Sequence, residues 1–488
     1  MSGNEYVVAS RGDGSYYTYL LAEKVWMALG LTPRCIGGDQ QKIIFDDLSL
    51  PEIGVAEGEV SNEYYWSPKR DVSWRITNEY LRKYLWMRGY VGVRVFFYEK
   101  LFDDGAELRA VMKGQTHYHE KPDNGWYEID IREFKAGILV QVWASVAAVL
   151  PELCAPIDVY AIVWPDDDQP LTKARASNSN EEFDIFLDDK FLERYEQSAF
   201  YDTVPVLSDG QWYCSPSYRG QWSFTGCRRV GRNLIRVTSY ELYKPKPPRE
   251  ILHARNFALS AAEVAGFDQT EEPIVSKVQR LLDELLEIGS NLGIFGGFLG
   301  QQRRVADLCG FSYREVRANG WLRYPILQRL GQAAPLDMSQ QAFLARCKTL
   351  HEVLQKIPNG FLKFLLQEAG CDRAAISQLG SFKLLQALFN ILTFLNQGCE
   401  TSDAFKGAAK CVDWAAQAPI MAPLFLNNDL RIADAHEAIA KGLASLESMG
   451  FDTAQLNAGY GRALDFVMDG VIDALRQINN ELGSLIVR

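Results

Sequence analysis

The chain has 488 residues, 47% hydrophobic and 23% charged, with a net charge of −11. That length allows roughly two to four domains, each able to bury a core without disulfide or metal support. The acidic balance excludes a polycation that holds nucleic acid through net charge, and the composition is that of a soluble globular protein.

The N-terminus, "MSGNEYVVASRGDG", has no basic segment followed by an apolar run, so no secretory signal is expected. "SWRITNEYLRKYLWMRG" repeats apolar residues at helical spacing and ends at Gly89, a good helix stop. "YVGVRVFFYEK" is rich in β-branched and aromatic residues and predicts a strand. The turn signal "DDGAE" and then "LRAVMKG" suggest a hairpin after it. "AGILVQVWASVAAVL", Ala136 to Leu150, reads as a buried strand running into a buried helix and is too short to span a membrane. "DVYAIVWP" and "NLIRVTSYELY" predict further strands, and "DKFLERYEQSAF" a helix. The prolines of "YKPKPPRE", Tyr243 to Glu250, mark a hinge, and Ile251 to Thr270 a helix joining two halves.

Beyond residue 270 the chain changes habit. Nine of eleven tryptophans and nineteen of twenty-two tyrosines lie before residue 271, as does most of the acidic excess. The remainder of the chain reads as nearly all helix. "IVSKVQRLLDELLEIG" stops at a glycine, with a glycine-broken apolar run after it. "SQQAFLARCKTLHEVLQKI", "GSFKLLQALFNILTFLNQG", "NDLRIADAHEAIAKGLASLESMG" and "YGRALDFVMDGVIDALRQINNEL" are further helices. Short breaks such as "IPNG" make them antiparallel neighbours in a bundle. The expected class is α+β: a mixed α/β domain over residues 1–250, acidic and aromatic-rich, then an all-α domain over 251–488.

Chemistry-bearing residues are few. Arg431 precedes His436 by five residues, in a helix expected to be capped by Asn428 or Asp429 and to run to Gly450. A cation and an imidazole near free helix N–H groups suit a phosphate. An arginine followed by a histidine at this spacing, in a helix of a small α-bundle with polar residues before it, resembles the HEPN superfamily. The resemblance covers at most about the last 140 residues, within 340–488. Many members are metal-independent ribonucleases of bacterial defence and toxin–antitoxin systems. It implies His436 as general base or acid on a ribose 2′-hydroxyl, Arg431 on the phosphate, and Asn428 and Asp434 as supports. It further implies an RNA substrate, a site shared across a homodimer, and no cofactor. Ile432 stands where that family commonly carries a polar residue. Read without the resemblance, the pair also fits a solvated helix end with Asp429, Asp434 and Glu437 as ionic partners. Arg346 and His351 repeat the spacing in mid-helix.

Other groupings point elsewhere. His117 and His119 share a strand face, with Glu120 beside them, as the start of a metal site would. Asp166 with Asp188, Asp189 and Lys190 loosely resembles the PD-(D/E)xK nucleases, in which carboxylates hold a divalent cation. The Trp, Tyr, Phe and Arg residues from Asp209 to Arg232 would either stack bases or pack a β-rich core. No phosphate loop, dinucleotide fingerprint or GxSxG elbow is present, and Cys214 and Cys227 have no histidine near them in sequence. Nine cysteines without a CxxC pair fit a reducing cytoplasm. The function expected is a metal-independent endoribonuclease effector with the first half as sensor or regulator, through a protein partner or trigger, and no membrane association. Two alternatives stay open: a non-catalytic interaction and dimerisation protein with a degenerate bundle, and a metal-dependent nuclease using the first half.

Overall fold

The computed structural model describes residues 6–8, 25–36, 42–49, 52–59, 74–90, 92–123, 126–156, 158–178, 182–218, 220, 222–244, 246–432 and 436–487. The fold is α+β. Two compact units divide it: Met1–Val159 with Pro245–Pro248, and Tyr160–Lys244 with Arg249–Arg488. Residues 160–244, on the α+β side of the expected boundary at 250, thus cluster with the helices.

In the first unit, strands β1 (Tyr6–Val8), β6 (Gly92–Phe102), β9 (Gly137–Val149), β8 (Tyr127–Phe134) and β7 (His117–Glu120) form a sheet in that order. A second sheet orders β2 (Thr32–Ile36), β3 (Lys42–Asp47), β4 (Glu52–Glu59) and β5 (Trp74–Ile76). Helix α1 (Asn78–Arg88) ends as its sequence predicts, with Gly89 left-handed at φ 62°.

Three expectations are corrected by the structure. "AGILVQVWASVAAVL" is strand to its end, because β9 pairs with β6 from Gly92↔Val149 to Phe102↔Ile138 and with β8 on its other edge. β8 reaches only to Ala144, so beyond it the pairing with β6 alone, through Val93↔Ala147, overrides the helix propensity of the alanines. "LRAVM" belongs to helix α2 (Ala106–Met112), not to a hairpin strand. Ala, Leu, Arg and Met are strong helix formers, and Leu108 and the fully buried Met112, one turn apart, pack on Ile131 and Ile138. "DVYAIVWP" is no strand. Its backbone is satisfied without a sheet neighbour, Val163 O by Arg255 Nε at 2.9 Å and Ile162 O by Leu171 N at 2.9 Å.

The second unit starts with a sheet ordered β11 (Val206–Ser208), β12 (Gln211–Tyr213), β15 (Arg228–Val230), β16 (Leu234–Thr238), β10 (Asp184–Asp188) and β17 (Ala258–Leu259). Strands β13 (Ser217–Tyr218) and β14 (Trp222–Ser223) form a separate ribbon. The expected joining helix over 251–270 is instead helix Pro248–Asn256, then β17, then the capped turn Ala261–Val264. Leu187 pairs with Ala258, so the sheet captures this segment as an edge strand.

The helices are α3 (Ile274–Phe298), α4 (Gln340–Leu354), α5 (Asn359–Glu368), α6 (Ser381–Gln397), α7 (Ala422–Ile432), α8 (His436–Ser448) and α9 (Gly461–Val487), with shorter turns between. Their apolar stripes merge into one core to which β12 adds Trp212. α3 does not stop at Gly289. It runs on to Phe298 because its glycines meet close neighbours: a Cβ on Gly293 would lie 2.9 Å from Arg303 O, and one on Gly296 2.6 Å from the Phe361 ring. Those residues trade helix propensity for close packing. Among the described residues no helix is long and apolar enough to cross a membrane.

Candidate functional site

Arg431 and His436 fall in two separately described helices, α7 and α8, and residues 433–435 between them lie outside the described residues. Asn428 and Asp429 are not caps but lie inside α7, which begins at Ala422. Pro423 in its first turn and the buried stripe Leu424, Asn427 and Leu430 start the helix earlier than its polar residues suggest. Arg431 therefore sits in the last turn described for α7, where the helix dipole favours a cation. His436 is the first residue of α8. Its side chain and all of Asp434 lie outside the described residues.

Arg431 is exposed, and its Nε donates to Asn428 Oδ1 at 3.0 Å, one turn back on the same face. Asp429 pairs instead with Lys441 Nζ of α8 at 3.3 Å.

The second arginine–histidine spacing separates on folding. Arg346 is buried and donates to three carbonyls: Leu330 at 2.7 Å, Gln332 at 3.3 Å and Ala333 at 3.0 Å. Burial pushes its guanidinium down to about 10. Its donors are spent on backbone, so it does not serve a substrate.

His351 has a different setting. It is 3% exposed, neither ring nitrogen has a hydrogen-bond partner among the described residues, and its ring meets Phe382 edge-on at 5.3 Å. Burial pushes its pKa down to about 4, and the Arg431 guanidinium adds to that shift. Helices α4 and α7 pack together, so the structure brings Arg431 into the field of His351, a pairing that spacing within one helix could not show. Asn427, fully buried on α7, likewise has no partner for either side-chain amide atom among the described residues. Replacing Arg431 by alanine is expected to raise the His351 pKa, because a nearby cation is removed. An NMR titration of the five histidines reads this directly.

The metal-oriented groupings are occupied otherwise. His117 Nε2 meets Asp130 Oδ2 at 2.7 Å and His119 Nε2 meets Glu128 Oε1 at 3.0 Å, each across the β7–β8 pair. Asp166 accepts from Ala261 N, Asp188 accepts from Lys190 N at 2.9 Å, and Lys190 pairs with Asp337. Among the described residues no three His, Cys, Asp or Glu side chains are placed to hold a metal ion.

The aromatic segment packs inward. Tyr195, Trp222 and Phe224 are buried and in mutual ring contact, with Tyr201 and Tyr218 at their margin. Arg229 is buried against Glu196, and Arg232 Nε reaches Asp465 Oδ1 at 2.9 Å. Cys214, just after β12, and Cys227, just before β15, are buried side by side, and the neighbouring Cys214 thiol together with burial pushes the Cys227 thiol up.

Sequence reasoning missed a buried polar group in this unit. Among the described residues the carboxylate oxygens of Asp189, with Arg229 Nε, Arg232 Nη2 and Asn233 Oδ1, are buried without a hydrogen bond of normal geometry, although the Asn233 side chain lies beside the carboxylate. Burial pushes Asp189 up to about 6 despite the two arginines. Only "DDK" hinted at it, and as a metal motif. No protein-family model, curated protein or solved structure matches the chain.

Proposed function

We propose that the helical part acts as a HEPN-like, metal-independent endoribonuclease, with Arg431 and His436 as its working pair. One observation carries the reading: Arg431 stands exposed at the end of α7, oriented by Asn428, and the next helix opens at His436. In the reaction the ribose 2′-oxygen attacks the adjacent phosphorus while its proton passes to the base. The 5′-oxygen leaves with a proton and a cyclic phosphate remains. His436 serves the proton transfers as base or acid, Arg431 the charge growing on the phosphate oxygens, and Asn428 the guanidinium's orientation. Asp434 is assigned a supporting role. A homodimer would double the pair, and the first unit would receive a protein partner or trigger. A place in bacterial defence or toxin–antitoxin systems belongs to the same proposal, as does a cytoplasmic setting.

Induced expression tests it. Wild type should arrest growth and degrade total RNA, and His436→Ala and Arg431→Ala should abolish both. Removing a general base costs about 10²–10⁴-fold in rate. Equal RNA breakdown by all three proteins would remove the pair from the active site. The competing reading, a non-catalytic binding bundle, is favoured by a cleft on another face of α7.

A further inference from the structure

That face of α7 helps to line a cleft of about 670 Å³, a size suited to a small organic ligand. α6 supplies Lys383 and Gln386, one turn apart; α7 supplies Phe425 and Asp429; the segment after α6 supplies Trp414; and Met449 follows α8. The wall carrying Trp414 is pinned. Asn390 Nδ2 donates to Trp414 O at 3.1 Å and to Ala416 O at 2.9 Å, and Gln386 Oε1 accepts from Ala418 N at 3.4 Å.

Two features specify a ligand. Gln386 is 8% exposed; with its Oε1 engaged, its Nε2 is left on the cleft wall with no acceptor among the described residues. Lys383 is exposed on the same helical face and makes no ion pair among the described residues. The carboxylate across the cleft, Asp429, is balanced by Lys441. The uncompensated charge is therefore positive, beside an amide donor, in a cleft that a tryptophan and a phenylalanine also line. That combination calls for acceptor oxygens bearing negative charge on a flat apolar body.

We propose that this cleft binds a small aromatic carboxylate, its carboxylate on Lys383 and Gln386 and its ring between Trp414 and Phe425. The proposal does not rest on the ribonuclease reading.

Isothermal titration of the full chain with 2-naphthoate, against the uncharged 2-naphthamide, tests it. Wild type should bind 2-naphthoate at one site and more tightly than the amide. Lys383→Gln should weaken 2-naphthoate by about tenfold, the scale of a lost charge-assisted contact, and leave the amide unchanged. Ser445→Trp, which fills the cleft from α8, should abolish binding of both. Lys383 is exposed, so its variant keeps the test valid if Ser445→Trp misfolds. No binding of 2-naphthoate at millimolar concentration overturns the proposal, as does equal binding by wild type and both variants. Binding that Ser445→Trp blocks but Lys383→Gln leaves unchanged overturns the anion assignment.

Discussion

Replacing Asp465 by alanine is expected to lower the unfolding free energy by about 3–5 kcal/mol, the usual cost of stripping the partner from a buried charge. Both carboxylate oxygens of Asp465, on α9, accept from Arg232 Nε, at 2.9 and 3.0 Å. Arg232 also donates from Nη1 to Ala334 O at 2.9 Å. The side chains of Arg232 and Asp465 are only 2% and 10% exposed. This pair fixes the β15–β16 turn onto the helices, so its loss strands a guanidinium where water cannot reach it. Urea denaturation of the full chain reads the effect. The double variant Arg232→Met with Asp465→Leu should recover much of the loss, because it removes both charges rather than one. An Asp465→Ala loss under about 1 kcal/mol would show that the pair is not buried in solution.

Asp189 and His351 should tilt stability with pH in opposite directions. The folded Asp189 carboxyl holds its proton up to about pH 6. The unfolded one releases it near pH 4. Between those values the folded state binds more protons, so this group lowers stability as pH rises. The unfolded His351 imidazole takes up a proton near pH 6.5. The folded one does so only near pH 4. There the unfolded state binds more protons, so this group's contribution is present above about pH 6.5 and lost as pH falls towards 4. Each effect is on the order of 3 kcal/mol across its window. Asp189→Asn should therefore be more stable than wild type above pH 6, with the difference vanishing towards pH 4. His351→Leu should gain on wild type as pH falls from 6.5 to 4. Urea midpoints at pH 4, 5, 6 and 7 separate the two. Parallel pH profiles for all three proteins would contradict both assignments.

What could be read in the sequence was local. Gly89 ends α1, and the apolar periods of α6 and α9 give true helices. Errors arose where partners distant in sequence decide. β9 is strand to Val149 because β6 pairs with it from Ile138 onward, and α3 outlasts its glycines because Arg303 and Phe361 lie against them. The pairing of Asp429 on α7 with Lys441 on α8 was hidden because the sequence has helical composition throughout. The buried ion pair of Arg232 and Asp465 spans more than two hundred residues and leaves no local pattern. The nearness of Arg431 to His351 depends likewise on how α4 and α7 pack.

The most direct test of the central claim uses the purified full-length protein, a defined single-stranded RNA and excess EDTA. Wild type should cleave in EDTA, with His436→Ala and Arg431→Ala each at least about 100-fold slower. Lys383→Gln, on the cleft side, should cleave as wild type does. Cleavage that stops in EDTA, cleavage unchanged in the His436 and Arg431 variants, or no cleavage by wild type would contradict the claim.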